Sequence, residues 1–430
     1  MSVVLPPSAA PRSAYPARVL PERLRRRLLE LAEGREPVSA YLYDGEVAAG
    51  RARALRAALP EWAAVHYAVK ANSFPGVVRA LAPHVDGFEV ASRAELELAL
   101  AALREKGEGG SPASSAAPAP GGPVPVVAAG PAKSVPVLTA LVRAGVEAIN
   151  AESPLELHRI SRIAVAEGTT ARVALRVNPA DIPVTGSLRM GGAPSQFGVP
   201  EPDVPEVLRE ALRLPGLDVT GFHIHAASNN LDADSQAAYL RWCVEWSVRA
   251  AREHGVELRH VDIGGGIGVA FEELAGEESF DVARFGELAG RVEPPPGVRV
   301  VLEPGRFLVA DCGWYAAEVT DVKHSYGAVF VVLRGGINHF QLPTSWDLVH
   351  NIAVLPVERW PEGLPRPEAA DARVTVVGEL CTPEDTLVRD VRVDRVRAGD
   401  LVVFPYAGSY GWEFAMHSFL GHPVAERHLL

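Results

Sequence analysis

The lysine at position 70 follows an apolar run, and a lysine in such a place can do chemistry. Lys70 comes directly after "HYAV" (66–69), which has the composition of a buried strand end. A buried ammonium without a partner is costly, so most lysines at strand ends extend their charge to solvent along an apolar stem. The alternative is a lysine kept neutral by burial, whose amine forms a Schiff base with a carbonyl group. The stretch alone leaves both interpretations open.

Two histidines lie two residues apart in "GFHIHAAS" (221–228). On a strand, this spacing points His223 and His225 to the same face. They could be a packed pair, or two imidazole ligands of a metal as in TIM-barrel hydrolases, although no carboxylate ligand is clearly placed beside them. The third interpretation is a ring-stacking histidine at position 225, followed by a phosphate-binding Ser228.

Two further stretches combine glycine with charged residues. "DIGGGIG" (262–268) lacks the G-x-G-x-x-G spacing of a dinucleotide fingerprint, because position 269 is valine. Its glycines either form a turn or present several backbone N–H groups to a phosphate. "LEPGR" (302–306) carries Glu303 and Arg306, which could form a structural ion pair. Alternatively, Glu303 could face a heteroaromatic nitrogen while the arginine loop lies near a phosphate.

Two more candidates lie towards the end of the chain. "GELCTPED" (378–385) contains Cys381, and a lone cysteine is most often an ordinary buried residue. "YAGSYG" (406–411) predicts a tight turn that carries Tyr410. Neither stretch indicates a particular chemistry by itself.

The elements that position these residues follow a β/α rhythm. Helical spacing separates the strand candidates, for example in 92–103 and 153–168. The eight strand candidates are residues 65–71, 87–92, 124–130, 147–153, 172–178, 219–228, 260–266 and 298–304. Eight such steps over about 240 residues predict a TIM (β/α)8 barrel, with a doubly wound sheet as the alternative. In a barrel, Lys70 and the later candidates up to Arg306 would meet at the mouth where the strands end.

The pattern changes after about residue 307, where strand-like runs and turns replace the β/α rhythm. We therefore predict a barrel over residues 46–306 and an all-β domain made of residues 19–45 and 307–430. Residues 1–18 are expected to be a flexible leader. Residues 106–125, rich in Gly, Ala, Pro and Ser, are expected to be a disordered insertion.

Bulk properties exclude several classes of function. The 430 residues are 48% hydrophobic and 22% charged, which is typical of a globular protein. A net charge of −11 gives no indication of a nucleic-acid partner, and no apolar run is long enough to span a bilayer. Three cysteines exclude a disulfide scaffold, and the absence of a C-x-x-C pair argues against a thiolate zinc site. A reducing cytoplasm is the expected compartment.

Six of these stretches, in the same order, resemble one family. "YAVKAN", "HAAS", "GGG", "EPGR", "CTPED" and "GSYG" are similar to motifs of the fold-type III (alanine racemase-like) enzymes over residues 40–425. The similarity is to the decarboxylase branch that contains diaminopimelate and ornithine decarboxylases. This resemblance implies pyridoxal 5′-phosphate (PLP) as the cofactor. It also implies an obligate head-to-tail homodimer with shared active sites.

The resemblance further implies roles for individual residues. Lys70 would attach PLP covalently, His225 would stack on its ring, and Glu303 would pair with the ring nitrogen and keep it protonated. The phosphate would be bound by Ser228, Gly264, Gly265, Gly266, Gly305, Arg306 and Tyr410. Cys381 would donate a proton on the face opposite the lysine, in the neighbouring subunit's site. Racemases of this fold generally use a tyrosine there, so the cysteine favours a decarboxylase.

The residues expected near the substrate depart from those of the best-known members. An acid follows the cysteine in enzymes that act on diaminopimelate or ornithine, but here Thr382 does. Diaminopimelate decarboxylases place an arginine before a proline, whereas Gln341 and Leu342 stand before that proline here. Glu89 occupies a position where ornithine decarboxylases carry aspartate. These changes argue against a free basic amino acid as the main substrate.

What remains resembles a subgroup from siderophore and other secondary-metabolite pathways, of the staphyloferrin type. Its members decarboxylate an amino acid already joined to citrate or to an acyl carrier protein. The residues expected near such a substrate are Thr382, Asp385, Gln341, His339, Trp346, Trp412 and His417. The alternatives are a decarboxylase of free diaminopimelate or another amino acid, a racemase, a metallohydrolase using His223 and His225, and a non-catalytic PLP carrier.

Overall fold

The structure is a computed structural model that describes residues 12–34, 36–108, 122–182, 188–189, 194–271, 278–343, 346 and 351–430. These residues form two compact units. The barrel unit contains the described residues of 45–270 and 278–309. The β unit contains those of 12–44, Phe271, and those of 310–430.

Strands and helices are numbered here along the whole chain. The described strands are β1 (Tyr15–Pro16), β2 (Ser39–Tyr43), β3 (Ala63–Ala68), β4 (Gly87–Val90), β5 (Val124–Ala128), β6 (Val146–Ala151), β7 (Ala171–Asn178), β8 (Leu188–Arg189), β9 (Val199–Pro200), β10 (Leu217–His223), β11 (Ala227–Ser228), β12 (His260–Asp262), β13 (Arg299–Leu302), β14 (Gly313–Ser325), β15 (Ala328–Leu333), β16 (Ala353–Leu355), β17 (Glu368–Val377), β18 (Thr386–Arg397), β19 (Leu401–Phe404) and β20 (Glu426–Leu429). The described α-helices are α1 (Glu22–Ala32), α2 (Gly45–Ala58), α3 (Pro75–Leu81), α4 (Arg93–Glu108), α5 (Val135–Ala144), α6 (Pro154–Ala166), α7 (Val204–Ala211), α8 (Ala233–His254), α9 (Val282–Ala289) and α10 (Arg306–Val309).

Eight parallel strands close into a ring in the barrel unit. Their order is β3-β4-β5-β6-β7-β10-β12-β13, and β13 pairs with β3 to complete the circle. The strands fit a small closed cylinder because small and β-branched side chains fill its interior, as in the buried cluster of Val127, Ala148 and Ala174. The predicted TIM barrel is therefore confirmed. The doubly wound sheet is wrong, because β10 pairs with β7 as well as with β12.

Helix caps and one tyrosine fix the loop that follows β10. Helix α8 begins after Asp232, whose carboxylate accepts hydrogen bonds from the N–H groups of residues 234 and 235. One turn inside that helix, the Tyr239 hydroxyl donates to the Ile224 carbonyl oxygen (2.8 Å) and accepts from the Ala226 N–H (3.1 Å). The buried helix thereby holds the backbone on both sides of His225.

The β unit is a mixed sheet in which strands distant in sequence are neighbours. Its path is β1-β16-β19-β14-β15-β17-β18, and β2 lies between β14 and β20. Helix α1 packs Leu24 and Leu28, both fully buried, into a core with strand residues. The core contains Tyr15, Leu20, Leu24, Leu28, Val38, Ala40, Leu42, Trp314, Ala316, Ala353, Leu355, Val357, Leu401 and Val403.

Two segments expected to lack structure are ordered in part. Within the expected leader, Tyr15–Pro16 pairs with Ala353–Val354 as a parallel strand, and the Tyr15 side chain packs into the core of the β unit. Within the expected insertion, α4 continues to Glu108 and β5 begins at Val124. Local composition does not reveal either partner: Tyr15 packs among core residues, and Lys106 near the end of α4 donates from Nζ to the Val85 carbonyl oxygen at 3.1 Å. The rest of the insertion, 109–121, and residues 1–11 lie outside the described residues.

None of the helices in the described ranges combines the length and the apolar character that crossing a membrane requires.

Candidate active site

Lys70 lies at the carboxyl end of β3 and forms an ion pair inside the barrel mouth. It belongs to a single helical turn, Val69–Ala71, that follows the strand. Its Nζ lies 2.7 Å from Oε2 of Glu89, a fully buried residue of β4. The side chain of Lys70 is 42% exposed, so the expectation of a buried lysine is wrong in degree. The charge sits at the rim because its partner carboxylate reaches up from inside the barrel.

His225 is held against the glycine loop that follows β12. Its Nδ1 accepts a hydrogen bond from the Gly265 N–H at 3.1 Å. A Cβ at position 264 would lie 2.2 Å from the same Nδ1, so only glycine allows this approach. Burial, followed by the nearby Arg176 and Lys70 charges, lowers the pKa of His225 to about 3. The ring is therefore neutral at physiological pH, with its proton on Nε2.

Three buried side chains from three strands form an acid cluster beside this loop. One carboxylate oxygen each of Asp262 and Glu303 and one ring nitrogen of His223 lie within 4.8 Å of one another. Asp262 ends β12, and its two oxygens accept from the Gly264 N–H (2.9 Å) and from Nδ2 of Asn150 (3.1 Å). His223 Nε2 lies 3.7 Å from Glu303 Oε2. Burial and the mutual repulsion of the carboxylates raise the pKa of Glu303 well above its usual range.

The residues predicted to bind phosphate lie in the same unit. Gly264, Gly265 and Gly266 follow β12, and two of them, Gly264 and Gly266, have positive φ angles of 66° and 109°. A Cβ at Gly305 would lie 2.9 Å from the Ala71 Cβ, which brings the loop after β13 against the turn that carries Lys70. Arg306 is buried at the start of α10, and Ser228 lies in the two-residue strand β11. The barrel mouth thus brings together the predicted residues from Lys70 to Arg306.

One buried ion pair near this mouth was missed by the sequence reasoning. Arg176 of β7 donates from Nη1 to Oε1 of Glu152 at 2.8 Å, and both residues are buried. The other face of the guanidinium lies 4.7 Å from the Phe197 ring centroid. Glu152 also accepts from the N–H groups of Gly130 and Gly198. The sequence signal for this ion pair was an arginine within the otherwise apolar strand "RVALRVN".

The β unit contains the remaining predicted residues, described here by themselves. Cys381 is exposed and carries a free thiol. The next residue, Thr382, caps the turn, since its hydroxyl accepts from the Glu384 N–H. Asp385 is 2% exposed, and its carboxylate accepts from the N–H groups of Ile337 (2.8 Å) and Leu380 (2.7 Å). Asp385 therefore joins two loops of this unit, and its contact with substrate stays a prediction.

His339 also has a structural task in this unit, and its predicted contact with substrate stays a prediction. It is 1% exposed, its Nδ1 lies 2.7 Å from the Ser39 hydroxyl, and its Nε2 lies 2.8 Å from the Pro423 carbonyl oxygen. Both ring nitrogens are engaged, because the ring bridges β2 and the segment before β20. Burial lowers the pKa of His339, so the bridging ring is neutral.

The remaining aromatic and polar candidates are partly exposed. Tyr410 has a positive φ of 63°, which is unusual for an aromatic residue, and its ring packs edge-on against Trp346 at 5.1 Å between centroids. Trp412 lies under the Arg427 guanidinium and 4.2 Å from the His417 ring. Gln341 donates its backbone N–H to the residue 411 carbonyl oxygen.

The acid cluster bears on the metal interpretation. His223, Asp262 and Glu303 are close enough to surround a cation. However, both Asp262 oxygens already accept hydrogen bonds, and His225, the second expected imidazole ligand, bonds to the glycine loop. The histidine pair expected of a metallohydrolase is therefore not brought to one centre.

The barrel mouth suits a phosphorylated pyridine. Oε1 of Glu303 is buried and has no hydrogen-bond partner among the described residues, as a carboxylate awaiting a ring N–H would have. The glycine loop exposes backbone next to a neutral imidazole, and Lys70 stands at the rim. PLP would add the missing donor to Glu303 and an aldehyde carbon for the lysine.

Comparison with known proteins gives the same assignment. Residues 47–310 match the family described as pyridoxal-dependent decarboxylase, pyridoxal binding domain. A Staphylococcus aureus protein named 2-[(L-alanin-3-ylcarbamoyl)methyl]-2-hydroxybutanedioate decarboxylase is 36% identical over 91% of this chain and 93% of its own length. A Niallia circulans L-glutamyl-[BtrI acyl-carrier protein] decarboxylase is 31% identical over 89% of this chain and 86% of its own. The crystal structure of Helicobacter pylori diaminopimelate decarboxylase complexed with L-lysine has a TM-score of 0.76 and 25% identity, covering 93% of both chains.

The Helicobacter pylori enzyme shares the fold of this chain, and the match to a decarboxylase family makes the metallohydrolase and non-catalytic carrier alternatives wrong. The chain belongs to the pyridoxal-dependent decarboxylase family, with PLP as its cofactor.

Proposed function

We propose that this chain removes a carboxylate, as CO2, from an amino acid that is already joined to a larger acid. The observation that carries the proposal is the 36% identity to a relative whose named substrate is an alanine unit in amide linkage to a hydroxy-dicarboxylate, matched along nearly the full length of both chains. The second relative is also named for an amino acid on a larger carrier. We assign the reaction to siderophore or related secondary-metabolite biosynthesis.

Two positions in the β unit support a conjugated substrate. Thr382 follows Cys381, so no carboxylate stands at that position to bind a distal ammonium. Leu342 precedes Pro343, so no guanidinium stands there to bind a distal carboxylate. A free diamino acid would leave its far charge without a partner at these positions, which costs binding energy when the site is desolvated. A conjugate has no free distal amine there.

The barrel residues would hold the cofactor and keep its ring in a defined charge state. When bound, PLP supplies an electron-withdrawing ring that accepts the electrons left by the departing carboxylate. We propose that Lys70 holds the cofactor covalently, and that Glu89 orients the lysine amine through the 2.7 Å contact. His225, neutral by virtue of its lowered pKa, would cover one face of the ring without adding a positive charge.

Glycine backbone would receive the phosphate at the other end of the cofactor. We assign this contact to Ser228, Gly264, Gly265, Gly266, Gly305, Arg306 and Tyr410. Glycines place N–H donors next to an anion without side chains in between. The Arg306 guanidinium adds positive charge to the same end of the site.

We assign the new Cα proton to Cys381. A thiol can hold a proton at Sγ and release it to a carbanion in the transition state, a contribution of about 100-fold or more in rate for a positioned general acid. Cys381→Ala is therefore expected to slow turnover by about this factor or to change the product, whereas Cys381→Ser keeps a hydroxyl in place and is expected to retain part of the rate. Unchanged rate and product in the alanine variant would reject the assignment.

The substrate is tested by CO2 release from the PLP-loaded enzyme. The substrates to compare are an amide conjugate of 2,3-diaminopropionate with citrate, free diaminopimelate and free ornithine. We expect the highest kcat/KM with the conjugate. The second candidate function, decarboxylation of free diaminopimelate, is favoured by the fold shared with the Helicobacter pylori enzyme. Equal or higher kcat/KM with diaminopimelate would replace our proposal by that one.

We further propose that the chain acts as a homodimer with shared sites. Phe414, Met416, Phe419, Leu420 and Val424 are exposed within one short segment of the β unit, and apolar side chains grouped in this way are typical of an interface. Mixing Lys70→Ala and Cys381→Ala subunits tests the shared site. Random exchange would restore about a quarter of the wild-type rate if each site uses residues of both chains. Mixed variants that stay inactive while a dimer forms would reject shared sites.

The cytoplasm is the compartment we propose for this reaction. All three cysteines of the chain are free thiols in the structure. Free thiols, one of them exposed, persist best in a reducing compartment.

A further inference from the structure

The acid cluster under the expected cofactor ring contains one carboxyl group more than the ring nitrogen needs. Glu303 suffices to pair with a protonated nitrogen, yet Asp262 lies beside it, fully buried. Two carboxylates in one small buried space cannot both stay ionised without a cation. Before the cofactor binds, the pair must therefore share one proton, and the structure indicates which member carries it.

Asp262 has the surroundings of an ionised carboxylate. Its two oxygens accept hydrogen bonds from two different donors, the Gly264 N–H and the Asn150 amide. Donors on both oxygens stabilise the negative form and offer nothing to a protonated one. The Asn150 side chain is itself completely buried and lies in strand β6, which β7 and β10 separate from β12 in the ring, so this donor is fixed.

Glu303 has the surroundings of a protonated carboxyl. Oε1 of Glu303 is buried and has no hydrogen-bond donor among the described residues. Its Oε2 faces the other two members of the cluster, Asp262 and His223, and lies 3.7 Å from His223 Nε2. Burial lowers the pKa of His223 well below its usual range, so that imidazole brings no positive charge. A carboxyl without donors keeps its proton and can donate it to the neighbouring carboxylate.

The charges that face Glu303 from other elements on balance oppose its ionisation. Lys70, after β3, favours ionisation of Glu303, whereas Glu89 of β4 opposes it, and these two form an ion pair with each other. Asp262 of β12 opposes ionisation as well. His223 of β10 is neutral. The charges around Glu303 therefore favour its protonated form, and Glu303 carries the proton that the pair shares.

We propose that Asp262 is a positioning residue that stays ionised, and that Glu303 holds one proton which it transfers to the ring nitrogen as the cofactor binds. The O–H bond of Glu303 breaks and an N–H bond forms on the ring, so the site has the same net charge before and after. The ring nitrogen would then become protonated by the buried cluster without taking a proton from solvent. This inference rests on the proposed contact between Glu303 and the ring nitrogen.

The test counts protons as a cofactor analogue binds. Pyridoxine 5′-phosphate has the ring and the phosphate but no aldehyde, so it cannot react with Lys70. Its binding to the PLP-free enzyme is measured by calorimetry in buffers of different ionisation enthalpy at the same pH. If the Asp262 charge, and not burial alone, keeps the proton on Glu303, Asp262→Asn lets Glu303 ionise before binding, and the wild type gives up about one more proton per analogue bound than this variant. Protons from the phosphate cancel in this comparison.

Two further variants separate this inference from the proposed function. Glu303→Gln mimics the protonated carboxyl, so we expect a PLP-free enzyme at least as stable as the wild type, with weaker binding of the analogue. Unchanged binding in Glu303→Gln would reject the contact with the ring nitrogen itself. If Glu303→Gln weakens binding of the analogue as expected, but the wild type and Asp262→Asn release the same number of protons, only the inference that the pair shares one proton is rejected.

An infrared measurement keeps the inference testable if Asp262→Asn does not fold. The PLP-free wild type should show the carbonyl stretch of a protonated buried carboxyl, which disappears when the analogue binds and is absent from Glu303→Gln. Arg373→Gln is a control in the β unit, where the arginine pairs with exposed Asp390, and should leave the band unchanged. No such band in the wild type would overturn the proposal.

Discussion

The substitution Gly264→Ala tests whether close packing of the glycine loop against His225 matters for PLP binding, apart from the cost of a positive φ angle at that position. In Gly264→Ala, the new Cβ would lie 2.2 Å from Nδ1 of His225 and 2.7 Å from its Cβ. The backbone there has φ +66°, where alanine costs about 1 kcal/mol relative to glycine. Gly145→Ala is a matched control, since its φ is +64° and no atom lies within 4 Å of the new methyl group.

The difference between the two variants measures the clash with the histidine. To admit the methyl group, the His225 ring must leave its rotamer, at about 1 kcal/mol, and lose the hydrogen bond from the Gly265 N–H, at about 1 kcal/mol. The backbone must shift as well, because the 2.7 Å contact with the His225 Cβ does not depend on the rotamer. If PLP binding requires the ring to return, the ring is pressed against the methyl group, and an overpacking cost of about 2 kcal/mol weakens PLP binding about 30-fold in Gly264→Ala. Gly145→Ala should bind PLP like the wild type.

The assay is titration of the PLP-free enzyme with PLP, followed by the absorbance of the bound cofactor. Urea denaturation of the same preparations measures the conformational cost, which both variants share. If Gly264→Ala bound PLP as tightly as Gly145→Ala, the close approach of the glycine loop would not position His225. The assignment of that ring to the cofactor would then lose its structural basis.

Three further outcomes follow from buried polar groups. Burial lowers the pKa of His66 from 6.5 to about 4, so the unfolded state binds more protons between these values and stability falls as pH drops from 6.5 towards 4. The gap is equivalent to about 3 kcal/mol, and His66→Gln should flatten urea midpoints measured over this range. Asp385→Asn should lower the free energy of unfolding by about 2 kcal/mol, because an amide N–H would face a backbone N–H. The exposed control Asp390→Asn should change it little. Equal losses in the two variants would contradict the role of Asp385 in joining its loops. His339→Ala should lower the melting temperature and leave KM unchanged, and a raised KM at unchanged stability would return this histidine to the substrate site.

The barrel and half of its site were predictable because their signals are local. Lys70, His225 and Glu303 each follow a short apolar run, and parallel strands in a closed ring end at the same rim. The order of the motifs then gave the family. No contact between distant residues had to be known for any of these steps.

The acid cluster was not predictable because its members meet only in the folded ring. Asn150 and Asp262 are 112 residues apart, and in the sequence Asp262 is simply the first residue of the glycine-rich stretch "DIGGGIG". Arg176 and Glu152 lie on adjacent strands, but nothing in either strand shows that the two side chains point to each other.

Asp385 and His339 were assigned to substrate because polar residues near a catalytic cysteine suggest contacts with ligand. Their real partners include backbone groups, the N–H of Ile337 and Leu380 and the carbonyl of Pro423. Backbone partners carry no residue type, so a sequence does not display them. The same reason explains Tyr15, whose strand partner lies more than 300 residues away.

The position of β2 has a consequence for the order in which this chain can fold during synthesis. Ser39–Tyr43 leaves the ribosome before the barrel, yet its two neighbours are β14 and β20, and the latter is Glu426–Leu429. At about 5–20 residues per second, this strand waits for tens of seconds without a partner on one side. The barrel can close during that interval, since all its strands lie between Ala63 and Leu302. An unpaired apolar strand is a substrate for chaperones and for aggregation, so the last few residues of the chain protect some of the first.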